Sequence, residues 1–198
     1  MDYEKKKKTN WCCFFFAIDV GVKLADEITM KIAILSSSFY ESTFPLVKHL
    51  SSHNEIELFC VVQKSFMTPA MLDLSLHEDS IQCGIYDHES ATNFIPEHVK
   101  SYLASPNISI SVVVFSGGSK LLKDINTCFQ LTRRLKKSGF DIFHFIGTYV
   151  LNFLVEGRLN RRKVVHTLHE SIDRIWSLET SRLKKLLIKF QFNIIERN

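Results

Sequence analysis

Three short apolar runs in this chain each stop on small, polar or imidazole residues: Lys31-Ile-Ala-Ile-Leu-Ser-Ser-Ser38, Asp141-Ile-Phe-His-Phe-Ile-Gly147 and Lys163-Val-Val-His-Thr-Leu-His-Glu170. The residues able to do chemistry sit at those ends: Ser37 and Ser38, Gly147 and Thr148, and His169 and Glu170. Hydroxyls on a small side chain suit contact with a polar ligand, and they equally suit an ordinary loop. His169 and Glu170 can reach one polar ligand or hold a loop in place.

Several chemistries lose support on spacing. The first run ends in Ser36-Ser-Ser-Phe-Tyr-Glu41, where a dinucleotide site needs G-x-G-x-x-G for close approach of the backbone to a pyrophosphate. Ser116-Gly-Gly-Ser119 lacks the Lys-Ser/Thr ending of a P-loop and reads as a plain turn from strand to helix. His166-Thr-Leu-His169-Glu170 matches neither H-E-x-x-H nor H-x-x-E-H, and residues three apart on a strand point to opposite faces. No metal site is therefore expected. His144 lies within its run, where a hydrogen-bonded core histidine is the default. No G-x-S-x-G elbow supports hydrolysis.

A chain of 198 residues and 22.9 kDa with 45% apolar residues has ample material for one core. Its formal charge of +4 is uneven. From Arg158 to Arg197 ten Lys and Arg face four acids, whereas Asp73 to Glu97 carries six acids and no Lys or Arg. The basic third could face an anionic membrane, phosphate or nucleic acid, or be a solvated helix face; of these, no nucleic-acid partner is expected. The five cysteines, Cys12, Cys13, Cys60, Cys83 and Cys128, include no C-x-x-C pair, which predicts reduced thiols and a cytoplasmic setting. The apolar stretch from Trp11 to Val22 contains Asp19 and is too short to span a bilayer.

The elements that must position these residues alternate along the chain. Residues 1–29 read as an atypical N-terminal extension, either an upstream start or a basic-aromatic anchor, and the domain is expected to occupy 30–198. Strands are predicted over 31–36, 55–62, 81–86, 109–115, 141–146 and 163–168, and helices over 44–53, 69–77, 96–104, 120–137, 149–156 and 179–195. Pro45 is expected in the first helical turn, where a missing amide costs nothing. Leu121, Leu122, Ile125, Cys128, Leu131 and Leu135 form the expected buried stripe of the longest helix, closed by Ser138-Gly139. Alternation of this kind predicts a doubly wound, mainly parallel α/β sheet that binds ligands above its strand ends. The last helix sets Arg182, Lys184, Lys185 and Lys189 among leucines and phenylalanines, which suits packing on the sheet or peripheral contact with an anionic membrane.

Met30-Lys-Ile-Ala-Ile-Leu-Ser36, Gly139-Phe-Asp-Ile-Phe-His144 and Lys163-Val-Val-His-Thr-Leu-His-Glu170, in that order and spacing, resemble the N-terminal domain of GT-B retaining glycosyltransferases of family four, or group one. The resemblance spans residues 30–195. It implies a Rossmann-like lobe that binds a carbohydrate or lipid-linked acceptor, with Ser37, Ser38, Gly147, Thr148, His169 and Glu170 near the acceptor or sugar. It also implies a nucleotide-sugar donor held by a second lobe beyond Asn198. This lobe is then expected to bind no cofactor itself and to be inactive as a fragment. The implied role is surface polysaccharide or glycoconjugate synthesis at the cytoplasmic side of a membrane. Two departures stand out. Many members carry D-x-x-H-x-H at the second run; here His144 matches the first histidine and Ile146 replaces the second, leaving the amides around Gly147 and Thr148 as the polar groups there. The first loop also lacks the usual glycines. The alternative is a stand-alone α/β binding or scaffold domain derived from such an enzyme.

Overall fold

The computed structural model describes residues 29–37, 40–64, 82–116, 120–147, 152–160 and 163–167. The expected helices over 69–77 and 179–195, and nearly all of the N-terminal extension, fall outside them. Six strands form one sheet: β1 (Lys31–Ser36), β2 (Glu55–Gln63), β3 (Gly84–Tyr86), β4 (Ile108–Phe115), β5 (Ile142–Ile146) and β6 (Val164–Thr167). Their order is β3-β4-β2-β1-β5-β6, with β3 antiparallel and every other pairing parallel.

The central strands are apolar along their whole length because both faces of the sheet are covered. In β1, Ile32 and Ile34 enter a cluster with Val47, Leu58, Val99 and Ile110, while Ala33 and Leu35 enter a second with Phe59, Leu131 and Phe145. The first cluster packs beneath α1 (Tyr40–Leu50), α2 (His88–Ala91) and α3 (Glu97–Leu103). The second packs beneath α4 (Leu121–Lys137) and α5 (Asn152–Glu156). Phe140 ties that layer together, meeting Phe59 and Phe143 edge-on at 6.4 and 6.0 Å. Each such ring, fully buried, contributes roughly 1.5–3 kcal/mol. The doubly wound, mainly parallel sheet expected from the alternation is thus the observed architecture.

Three local expectations need correction. α1 begins at Tyr40, so Pro45 lies inside the helix and withholds its hydrogen bond from the carbonyl one turn earlier. The strand expected over 81–86 shrinks to Gly84–Tyr86, an antiparallel edge pairing with Val112–Val114. Asp87 then caps α2, its carboxylate accepting from the Ser90 N–H at 3.1 Å, and a 3-10 turn follows at Thr92–Phe94. In α4 the expected stripe fails at its first turn: Leu121 and Leu122 are 53% and 83% exposed, whereas Asp124, Thr127, Cys128, Leu131, Thr132 and Leu135 are buried. Periodicity gives the stripe's direction but not where the helix overhangs the sheet. Gly139, at φ +68°, does terminate α4 in the left-handed region.

The end of the sheet opposite the predicted site fixes its register. Lys31 N–H donates to Asp141 Oδ2 at 3.0 Å, and Asp141 N–H donates to the Lys31 carbonyl at 2.8 Å. Lys163 Nζ adds a bond of 3.0 Å to the Phe140 carbonyl. Asp141 is therefore a register pin between β1 and β5. No helix among the described residues is long and apolar enough to cross a membrane.

Candidate functional site

From β1 the chain moves outward in both directions, to β2 and β4 on one side and to β5 and β6 on the other. The connections therefore diverge between β1 and β5, the point above whose carboxyl ends open α/β sheets bind ligands. Register pairs Ser36 with Ile146, placing Ser37 and Gly147 side by side at this divergence point. Ser37 N–H donates to the Ile146 carbonyl at 3.2 Å, and Gly147 N–H donates to the Thr167 carbonyl at 3.1 Å. The ends of β1, β5 and β6 thus lie on one edge. Gly147 turns away at φ +81°, a conformation that disfavours any residue with a Cβ.

Two of the six candidate residues are thereby brought together. Ser37 Oγ is buried and has no hydrogen-bond partner among the described residues, an unusual state for a hydroxyl. Its neighbour Ser36 meets the Thr43 hydroxyl at 3.1 Å, holding α1 against β1. Ser38, Thr148, His169 and Glu170 lie outside the described residues; β6 is described to Thr167, two residues before His169.

The histidine within β5 has a structural role. His144 Nε2 lies 2.8 Å from Thr167 Oγ1 and joins β5 to β6. Burial, with a smaller contribution from His166, pushes His144 down to about 4, so its ring is neutral at pH 7. Ile146, which stands where the resemblance implies a reaction-centre histidine, is 2% exposed and belongs to the cluster beneath α1. Ser116-Gly-Gly-Ser119 also has its first residue committed: Ser116 N–H and Oγ both donate to Asp124, at 2.6 and 2.7 Å.

One arrangement escaped sequence reasoning. Glu156, at the end of α5, places Oε2 3.6 Å from His166 Nε2 on β6. Burial pushes the Glu156 carboxyl up to about 8 and His166 down to about 4. The available signal was alternation: His166 is two residues from the inward Val164 and shares its face. Among the described residues, no three His, Cys, Asp or Glu side chains are grouped to hold a metal ion.

No family model matches the sequence, and no curated protein matches it significantly. Two crystal structures of the C-terminal domain of a hydrogenase from Pyrococcus furiosus are similar to this chain at 10% and 12% identity. They cover 74% and 75% of it and 95% and 97% of their own chains, with TM-scores of 0.41 and 0.40. A likeness of this degree carries no argument about function.

Proposed function

We propose that this chain is the acceptor-binding side of a nucleotide-sugar-dependent glycosyltransferase, and that the crevice between β1 and β5 receives a hydroxyl-rich acceptor, either a carbohydrate or a lipid-linked one. The observation that carries the reading is the unpartnered Ser37 hydroxyl beside the Gly147 turn at the point where the strand order diverges. A hydroxyl both donates and accepts, which suits the hydroxyls of a sugar. The motif order along β1, β5 and β6 supports the enzyme class, and a nucleotide-activated donor belongs to the second lobe implied by the same resemblance. The chemistry would rest on positioning and on neutralising phosphate charge.

The test is a titration of the ¹⁵N-labelled 198-residue chain with octyl glucoside below micelle formation and, in parallel, with octanol. The expected result is glycoside-specific movement of the Ser37 and Gly147 amide resonances, with no sugar transfer from nucleotide sugars by this chain alone. Shifts confined to other regions, or robust turnover by the chain, would overturn the assignment.

A second reading, a stand-alone α/β binding or scaffold domain, is favoured by the burial of Ile146. Its side chain offers no hydrogen bond to a reacting sugar. Absence of both glycoside binding and transfer would select this reading.

A further inference from the structure

Beneath the crevice, Glu156 and His166 are enclosed between β6 and α5. Their side chains are 1% and 10% exposed, and neither carboxyl oxygen nor the imidazole Nε2 has a hydrogen-bond partner among the described residues. The His166 ring is held flat against Phe145, with centroids 5.4 Å apart and planes at 22°. A charged carboxylate in such a place is strongly disfavoured, because nothing replaces its lost hydration.

We propose that Glu156 and His166 form a proton-holding latch, in which a neutral Glu156 carboxyl faces a neutral His166 and keeps α5 seated on β6. The carboxyl O–H then donates to Nε2, with the imidazole proton on Nδ1. Closing the 3.6 Å separation to hydrogen-bond length takes a shift of about 0.6–0.9 Å. The raised carboxyl and lowered imidazole agree with this state. Loss of the proton leaves a buried carboxylate beside a neutral ring. Relief comes from moving α5 off β6.

Among the described residues, the other titratable and charged groups on the packed elements do not supply a counter-charge. On α4, Asp124 is bonded to Ser116, and Cys128 is a buried thiol pushed up to about 12. On β5, His144 lies on the opposite face with Thr167 and is neutral. Beyond α5, the Arg158 guanidinium sits over the Phe129 ring at 4.6 Å and bonds the Leu154 carbonyl. Lys163 reaches the Phe140 carbonyl and, at 4.0 Å, Asp141.

Four described residues of β6 pair with β5, and the Thr167 carbonyl accepts the Gly147 N–H where β1 and β5 end. Opening of the latch therefore loosens one wall of the crevice. This inference rests on the buried pair alone and stands whether or not the crevice binds a sugar acceptor.

Two measurements on the 198-residue chain test it. The ¹³Cδ resonance of Glu156 should report a protonated carboxyl at pH 6–7 and titrate near about 8. Amide protection at Gly147, corrected for intrinsic exchange, should fall about tenfold per pH unit between about 6.5 and 8 and level off above that range, relative to β2 and β4 amides. In Glu156→Gln the fall should vanish. A carboxyl titrating near its ordinary value of 4.5, or an unchanged fall in the variant, would overturn the latch. The carboxyl resonance is read in the unaltered chain, so the first measurement decides the matter even where the variant fails to fold.

Discussion

Ser37 donates its backbone N–H to the Ile146 carbonyl at 3.2 Å, so the first residue beyond β1 is bonded to the last residue of β5. The alignment originates at the other end of the same strand pair, where Lys31 and Asp141 exchange hydrogen bonds. Two residues far apart in sequence thus meet because a parallel register, once pinned at one end, is delivered at the other.

The turn at Gly147 should be intolerant of a side chain. With φ at +81°, Gly147→Ala places a Cβ in the left-handed region and should cost about 1–2 kcal/mol in urea unfolding. Gly139→Ala is the reference, since φ is +68° and an added Cβ there meets nothing within 4 Å. Its cost should come from backbone conformation alone, about 1 kcal/mol. A neutral Gly147→Ala would refute the requirement for glycine at the crevice.

Asp124 should be among the most sensitive positions of α4 although it is charged. It is 1% exposed and accepts from both the N–H and the hydroxyl of Ser116. Asp124→Ala leaves those donors buried without that acceptor and should cost about 2–4 kcal/mol. Leu122→Ala, at an 83% exposed position of the same helix, should stay within about 0.5 kcal/mol of the parent. Equal costs at the two positions would contradict the observed seating of α4.

The same helix shows how much of the fold was legible. β1, β2 and β4 could be read from continuous apolar runs, because strands covered on both faces have no polar side to disguise them. Leu121 and Leu122 misled because spacing alone does not reveal where a helix projects past the sheet. Burial of Asp124 and Glu156 depends on contacts with Ser116 and His166, which local pattern does not encode. At the candidate site, the adjacency of Ser37 and Gly147 followed from strand alternation. Ser37's unpartnered hydroxyl required the packed structure.

The contact between His144 and Thr167 should show measurable coupling. Their bond of 2.8 Å crosses from β5 to the edge strand β6. Thr167→Val removes the hydroxyl and leaves the imidazole without that partner, at a cost of about 1–3 kcal/mol. His144→Leu should rescue part of this loss, giving a coupling of about 1 kcal/mol in a double-mutant cycle. Strict additivity of the two substitutions would deny the bond any energetic role.

Stability should peak near pH 6.5, for a reason traceable to three buried groups. Glu156 ordinarily loses its proton at 4.5 and in the folded chain at about 8, so between these values the folded state holds the extra proton and stability falls as pH rises. His144 and His166 ordinarily titrate at 6.5 and in the folded chain at about 4. Their contribution is present above 6.5 and is lost as pH falls toward 4, because there the unfolded state binds more protons. Each proton contributes a slope of about 1.4 kcal/mol per pH unit. Between 4.5 and 6.5 the two histidines outweigh the single carboxyl, and stability rises; between 6.5 and 8 only Glu156 acts, and stability falls. Urea midpoints across this range should trace a maximum in the parent chain. In Glu156→Gln the alkaline fall should disappear, leaving a plateau above 6.5. A parent chain that continues to gain stability up to pH 8 would show that the Glu156 carboxyl is already ionised within the fold.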